Sequence, residues 1–242
     1  VRERQMRQQE AGTEISKLWS SAQTITGPFI VIPYHHLLAD QKTYERRNVY
    51  VLPEELKINT NITPEIRHRS IYDVAVYQSE IVLSGRFEIS SFDKLNIDST
   101  KILWNDIQIQ TGITDFRGIT NPITIEWNGK PRAMESGVVA NNVIDKGVQA
   151  SFIWNEIQSR NSFKLVLHLK GSEQISFVPL GKITEARISS DWKDPSFGGA
   201  FLPTSPAIIN KDGFEAEWKI LELNRNYPQI FKDAAYPIQE SA

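Results

Sequence analysis

The sequence contains no cysteine among its 242 residues, which excludes structural disulfides, thiolate nucleophiles and cysteine-ligated zinc. It also lacks any run of roughly 18 to 20 consecutive apolar residues, the length that a membrane-spanning helix needs, and it shows no signal-peptide pattern. An excess of charge of one sign is absent too, because 27 Lys and Arg residues nearly balance 29 Asp and Glu residues. That balance provides no general attraction to nucleic acid, so we expect no nucleic-acid partner.

The familiar motifs of catalysis and cofactor binding are missing as well. The chain has no G-x-S-x-G nucleophile turn, no G-x-x-x-x-G-K phosphate loop and no dinucleotide fingerprint. None of its four histidines has the spacing of a metal-ligating pair. We therefore expect no cofactor, no metal site and no catalytic residue, with the histidines at the surface or in loops: His35, His36, His68 and His168.

The N-terminal residues 1 to 22 are rich in Arg, Gln and Glu and contain no proline, which predicts a mostly polar helix. Ile15, Leu18 and Trp19 give it a short apolar stripe, and Trp19 would anchor the helix to a sheet. Two interpretations fit equally: a frayed surface helix, or a helix that leaves a membrane segment upstream of Val1. Because the first residue is not Met, we expect the sequence to be part of a longer polypeptide.

Over most of the remaining chain, apolar residues alternate with polar ones, the pattern of strands with one face on a core. Residues 163 to 169 and 214 to 220 show it clearly, and their polar faces favour antiparallel sheets. Asn128 and Gly129 predict a tight hairpin. The predicted fold class is mainly β, an antiparallel β-sandwich or curved stacked sheets, with an N-terminal helix and few short helices.

Two irregularities in this pattern lead to further predictions. The Gly-Ser pair at 171–172 predicts a second hairpin, whose return strand continues through residues 175 to 177. In the long pattern from 71 to 89 the buried parity changes near residues 78 to 80. We expect a β-bulge there, or a bend at which the strand passes between sheets, because a shift of one residue exchanges the two faces.

The chain is expected to form one large domain. We predict a membrane-proximal helix over residues 1–25, a single β domain over residues 26–235 and a tail over residues 236–242. Short helical pieces are predicted at residues 91 to 96 and 225 to 232.

The segment 189–203, called the corner below, mixes aromatic residues with proline and glycine so densely that neither helix nor strand can form. Its aromatic side chains should fold down onto another part of the protein. Two interpretations are open: a buried hinge that locks two sheet edges, which we favour, and a ligand cleft. On the second, the candidate ligand-binding residues are Trp192, Asp194, Ser196 and Phe197.

Asp115 and Arg117 form a further candidate pair. Arg117 would bind an anionic ligand or form a buried ion pair with Asp115, and the fold-stabilising use is the favoured one.

A rival interpretation makes the protein an enzyme that acts on cell-wall saccharide. It would use carboxylates around Trp192, namely Asp191, Asp194 or Glu217, as acid and base. Acidic residues beside a loop tryptophan are more often turn-capping groups, so we prefer a non-enzymatic role.

Several blocks of the sequence, in order, resemble one family, the inner membrane protein CreD family, also called Cet or cell envelope integrity proteins. The segment RERQMRQQEAGTEISKLWSSAQTITGPFIVIPY resembles the stretch after the family's first transmembrane helix. YVLPEELKINTNITPEIRHRSIYDVAVYQSEIVLSGRF resembles the next block, and ITDFRGI a short Asp-x-Arg-Gly block. SSDWKDPSFGGAFLP followed by GFEAEW resembles the most recognisable part, so the resemblance covers nearly the whole chain.

The resemblance implies an extracytoplasmic domain of a polytopic inner membrane protein, with one transmembrane helix before Val1 and several after Ala242. It implies a periplasmic location, a link to cell envelope integrity and stress response, and no catalytic residue or cofactor that could be transferred. The function we predict is that of a binding or structural module. Its expected partners are the membrane, through segments outside this sequence, and an envelope protein or glycan.

Overall fold

The computed structural model describes residues 19–40, 42–69, 72–89, 97–232, 236, 238 and 242, and there the chain is built mainly from strands. Two sheets stack face to face, one of seven strands and one of eight. The predicted fold class is therefore confirmed. In chain order the strands are β1 (Gln23–Leu37), β2 (Tyr44–Val51), β3 (Glu55–Arg69), β4 (Tyr72–Glu88), β5 (Ile107–Ile113), β6 (Thr124–Trp127), β7 (Lys130–Ala133), β8 (Glu135–Ser136), β9 (Gly147–Phe152), β10 (Arg160–Ser172), β11 (Ile175–Val178), β12 (Ile183–Ser190), β13 (Ile208–Asn210), β14 (Gly213–Leu221) and β15 (Ile230–Lys232).

The seven-stranded sheet has the order β15-β2-β1-β5-β9-β8, with β11 beside the start of β1. The eight-stranded sheet has the order β13-β14-β12-β3-β4-β10-β6-β7. Paired strands are antiparallel except for β1 with β11 and β3 with β12. Across the described ranges no helix is long and apolar enough to cross a membrane. The short helices are 3-10 turns of three residues: Ser99–Lys101, Phe116–Gly118, Trp154–Glu156 and Glu222–Asn224.

The main core lies between the two sheets and follows the alternation of the sequence. In β10, Phe163, Leu165, Leu167 and Leu169 are buried, whereas Lys164 between them is exposed. One hydrophobic cluster joins these side chains to buried residues of the seven-stranded sheet. The strands predicted at residues 163 to 169 and 214 to 220 are confirmed as β10 and β14.

The hairpin predicted at Asn128 and Gly129 is also confirmed. β6 and β7 pair in antiparallel fashion with Trp127 opposite Lys130. Asn128 and Gly129 have positive φ angles of 50° and 77°. Two consecutive left-handed residues match the twist of the flanking strands, which is why this dipeptide so often forms such turns.

The second predicted hairpin, at Gly171 and Ser172, is wrong. β10 continues through Ser172, and Glu173 then adopts a left-handed φ of 65° as the chain leaves the sheet. Gly171 leaves space for the ring of Tyr77, whose hydroxyl donates to the carbonyl oxygen of Gln174 at 2.7 Å. β11 therefore pairs with β1 in the other sheet and not with β10.

The predicted bulge or bend in β4 is wrong as well. The pairing of β4 with β3 and with β10 runs through Gln78 without a register shift. Val74 and Val76 are buried on the outer face of the sheet, where Trp19 packs against them. From Tyr77 onwards the buried side chains point to the inner face. Trp19 covers this patch of the outer face and anchors the N-terminal segment to the sheet. The buried residues of β4 therefore change from one parity to the other, although the strand itself is regular.

Of the helix predicted over residues 1–25, residues 1–18 lie outside the described residues. β1 already begins at Gln23, so the last part of that helix is wrong. The piece predicted at 91–96 also lies outside the described residues. The helix predicted over 225–232 is wrong, because its last residues form β15 and pair with β2.

Candidate functional site

Asp115 and Arg117 lie in the connection between β5 and β6 and bind each other. Arg117 donates from Nε to Oδ1 of Asp115 at 3.0 Å and from Nη2 to Oδ2 at 2.6 Å. Ser21 donates to the same carboxylate from its backbone N–H and from its hydroxyl, each at 2.9 Å. The Arg117 guanidinium and these further donors hold the pKa of the Asp115 carboxyl well below its usual range, against the effect of burial.

The side chain of Gln23 extends this network. Its Nε2 donates to the carbonyl oxygens of Asp115 at 2.9 Å and Lys170 at 3.0 Å, and its Oε1 accepts from the N–H of Asp115. Gly118 lies so close to Gln23 and to the Lys170 carbonyl that a Cβ there would collide with them. We call Ser21, Gln23, Asp115 and Arg117 the latch. It joins the N-terminal segment to the rest of the chain and favours the fold-stabilising interpretation, while a ligand role for the pair stays a prediction.

The corner, residues 189–203, leaves the end of β12 and folds back over β14. From residue 191 onwards none of its residues is buried. Phe197 packs edge-on against Phe214 and Trp218, with ring centres 5.6 and 5.7 Å away. The favoured interpretation, a buried hinge that locks two sheet edges, is therefore wrong. The aromatic side chains of the corner pack on the open inner face near one sheet edge, and they stay partly accessible.

Between the corner and β11 lies an open cleft over the inner face of β12 and β14, which we call the β11 cleft. It has two adjoining lobes of about 390 and 330 Å3. One wall is β11, and the opposite wall is the corner from Ser196 to Phe201. The floor is apolar and comprises Ile58, Ala186, Ile188, Trp218 and Ile220.

The corner candidates meet in this cleft. Trp192, Asp194, Ser196 and Phe197 all line its second lobe, and Ser196 also lines the first. The indole N–H of Trp192 donates to the carbonyl oxygen of Asp194 at 2.8 Å, which holds the ring within the corner. Asp115 and Arg117 are not among the lining residues. The structure thus brings together four of the six predicted ligand-binding residues.

The charge of the cleft is of one sign. Glu173 and Asp194 are the charged side chains among the described residues that line it, and both are acidic. Both residues are exposed. A ligand with positive charge near its apolar part would complement this lining.

The carboxylates of the rival enzyme interpretation do not meet around Trp192. Glu217 lies on the outer face of β14, where its carboxylate is 3.6 Å from Nε of Arg187. Asp194 lines the cleft on the inner side of the same sheet. Alternation along β14 sends Glu217 away from the cleft, so the predicted set is wrong in this residue. Within the described part of the chain, no group of three His, Asp or Glu side chains could hold a metal ion.

The wall and most of the floor of the cleft cannot be recognised from the sequence pattern. The sequence pattern predicts Ile175 and Phe177 in a hairpin with β10, whereas in the structure they pair with β1 and lie opposite the corner. Ala186 and Ile188 lie in β12, where apolar and polar residues alternate as in any strand with one face on a core. Nothing in their identity distinguishes them from other strand residues. The sequence indicates the floor only through the alternation of residues 184 to 190, which places Ala186 and Ile188 on the same, inner face of the sheet.

A two-sheet β-sandwich with an apolar cleft at one edge is the class of domain that this structure defines. The chain belongs to the CreD family, because the family model described as inner membrane protein CreD matches residues 1–242. The resemblance found in the sequence is thereby confirmed. The chain is similar to inner membrane protein CreD of Escherichia coli (strain K12), with 31% identity over 219 residues, 88% of this chain and 48% of that relative. It thus spans about half the length of the curated relative that it matches, and no solved structure matches it.

Proposed function

We propose that this domain is the periplasmic binding module of a CreD-family inner membrane protein. It reaches the membrane through segments outside these 242 residues and contributes to cell envelope integrity and to the response to envelope stress. The observation that carries the proposal is the β11 cleft, an apolar surface left open in a protein of this family. An envelope component held in the cleft would connect that surface to the membrane protein.

The cleft has the composition of a binding site. Its floor residues Ile188, Ala186 and Trp218 are only half-buried, although they lie on the inner face of a sheet. Removing such apolar surface from water contributes about 25 cal/mol for each Å2, and this contribution opposes the entropy that a ligand loses on binding. A concave apolar floor with a few polar groups at its rim is the usual form of a site that binds rather than a site that packs.

The location can be tested with fusions to the full-length protein. Alkaline phosphatase joined within the loop after Asn210 should be active, and green fluorescent protein at the same position should be dark, because each reporter folds on one side of the membrane. The opposite pair of results would place the domain in the cytoplasm and contradict the proposal.

The binding role can be tested by filling the cleft. Ala186→Phe in the full-length protein places a large ring on the floor, and we expect it to reproduce the envelope defect of a strain that lacks the domain. Glu185→Phe is the matched control, because the same ring then lies on the outer face of β12. Normal tolerance of detergent and β-lactam with Ala186→Phe, at unchanged protein level, would contradict a role for the cleft.

A further inference from the structure

We infer that the β11 cleft takes an extended peptide segment, which adds as a further strand to the free edge of β11. This inference rests on the proposed function of the cleft as a binding site and names the class of its partner. The partner is a polypeptide segment in which apolar side chains alternate with others and a Lys or Arg lies next to them.

The pairing of β11 leaves one edge available. β11 pairs with β1, and among the described residues no other strand pairs with it. The parallel register sets Ile175 opposite Gln23 and Phe177 opposite Ile25, and the N–H of Gln23 donates to the carbonyl oxygen of Gln174. Because successive residues of a strand direct their backbone groups to opposite edges, Ile175 and Phe177 direct theirs away from β1. A row of such groups at an accessible edge is a template for another strand.

The rest of the cleft suits a strand in that position. The wall opposite β11 includes Gly198, Gly199 and Ala200, which add little side-chain bulk, and Ala242, whose backbone lies against Gly199 and narrows the cleft at that point. Side chains of an added strand would alternate, so every second one would contact the apolar floor around Ile188. β11 has four residues, so the paired stretch would span roughly 13 Å.

The acidic lining gives the expected charge of the segment. Glu173 follows directly on β10 at the entrance to β11, and Asp194 lies across the cleft in the corner. No Lys or Arg lines the cleft among the described residues, so an acidic segment would meet repulsion there while a basic one would be attracted.

The hydrogen-bonding groups at the cleft favour a peptide over a glycan. Sugar recognition relies on side-chain groups that bind ring hydroxyls, next to an aromatic face. Both indole N–H groups at the cleft already have acceptors in the corner: Trp192 donates to the carbonyl of Asp194, and Trp218 donates to the carbonyl of Phe201. Apart from the side chains of Glu173, Asp194 and Ser196, the backbone groups of β11 remain, and a row of alternating backbone donors and acceptors matches an extended peptide better than a sugar ring.

The first test uses the 242-residue chain, labelled with 15N, and a defined probe. The probe is the nine-residue peptide Lys-Thr-Val-Thr-Val-Thr-Val-Thr-Lys, with pools in which Ile, Leu or Phe replaces Val. At saturation we expect amide exchange of Ile175 and Phe177 to slow at least about tenfold, because their N–H groups become bonded. The amide of Ser176, which faces β1, serves as the internal control. Unchanged exchange at Ile175 and Phe177 with every pool would overturn the inference.

The second test separates strand addition from simple apolar contact. N-methylation of alternate peptide bonds removes the donors on one edge of the probe only. We expect one of the two alternate methylation patterns to weaken binding by about tenfold and the other to change it little. Equal affinity of both methylated probes and the parent peptide would overturn strand addition.

The third test concerns charge and the alternative partner. The double variant Glu173→Gln with Asp194→Asn should bind the Lys-ended probe about fivefold more weakly at low salt. The control variant Glu80→Gln, on the outer face of β4, should bind the probe as tightly as the unaltered chain. Binding of peptidoglycan fragments in the cleft, without peptide binding, would overturn this inference and leave the proposed function standing. A normal envelope with Ala186→Phe would instead contradict the proposed function itself.

Discussion

At the scale of single residues, Asp115 shows how strongly one carboxylate can tie distant parts of the chain together. We expect Asp115→Asn to lower the free energy of unfolding by about 2 kcal/mol at pH 7, because the amide keeps the shape but loses the charge-assisted bonds from Arg117. Urea denaturation followed by tryptophan fluorescence measures this. Asp212→Asn, at an exposed turn, is the control and should change stability little. Equal stability of both variants would contradict the role of the latch.

The same residue predicts a pH dependence. The pKa of Asp115 is depressed in the folded state, so the ionised carboxyl stabilises the fold above the unfolded-state pKa of about 3.9. This contribution is lost as the pH falls below that value, because protonation then competes with folding. The difference in stability between the unaltered chain and Asp115→Asn should therefore narrow between pH 5 and pH 2. A difference that stays constant over this range would show that the carboxylate charge is not what stabilises the latch.

A second residue-scale prediction compares two glycines. A Cβ at Gly118 would collide with the Lys170 carbonyl and the Gln23 amide, so Gly118→Ala should lower the free energy of unfolding by about 1 to 3 kcal/mol. A Cβ at Gly198 meets nothing within 4 Å, and Gly198→Ala should be close to neutral. Thermal unfolding of the two variants side by side measures the contrast. A neutral Gly118→Ala would mean that the connection between β5 and β6 can relax.

At the scale of elements, the corner should contribute little to stability despite its aromatic residues. Trp192 is only half-buried and its indole N–H bonds within the corner, so we expect Trp192→Ala to cost about 1 to 2 kcal/mol. Phe87 of β4 is fully buried against Phe163 and Trp127, and Phe87→Ala should cost about 3 to 5 kcal/mol. Chemical denaturation of both variants is the measurement. A loss from Trp192→Ala as large as that from Phe87→Ala would contradict this account of the corner.

The elements also show what a sequence can and cannot predict. The faces of β10 and β14 were predicted because alternation is a local property of each strand. The partner of β11 was not, since β1 lies far away along the chain and the Gly-Ser pair before β11 has the composition of a tight turn. The change of buried parity in β4 is visible in the sequence, but its cause is a contact with Trp19, which no pattern within β4 contains.

The candidate site divides in the same way. The corner is recognisable from its local composition of aromatic residues and chain breakers, and its four predicted ligand-binding residues do line the cleft. The floor at Ala186 and Ile188 was not found, because those residues differ in no respect from other strand residues. Glu217 lies away from Trp192 because alternation along β14 directs it to the outer face of the sheet, opposite to the face of Trp218.

At the scale of the whole molecule, a ligand in the β11 cleft should stabilise both sheets together, because the cleft lies between β11 of one sheet and β12 and β14 of the other. At about 100 times its dissociation constant, a bound peptide contributes roughly 2.7 kcal/mol, and the midpoint of thermal unfolding should rise by about 5 to 10 °C. Differential scanning fluorimetry measures the shift, and Ala186→Phe is expected to abolish it. A shift that survives Ala186→Phe would place the ligand elsewhere.

The position of β1 has a consequence for how the chain reaches this structure. β1 is the first strand in the described sequence, yet it pairs with β2, β5 and β11, and the last of these ends at Val178. This central strand of the seven-stranded sheet is therefore synthesised early, but its last pairing partner is synthesised much later. Contacts so far apart in sequence slow folding, and unpaired strand edges in the meantime favour aggregation. During synthesis, β1 has to remain protected until most of the chain has emerged.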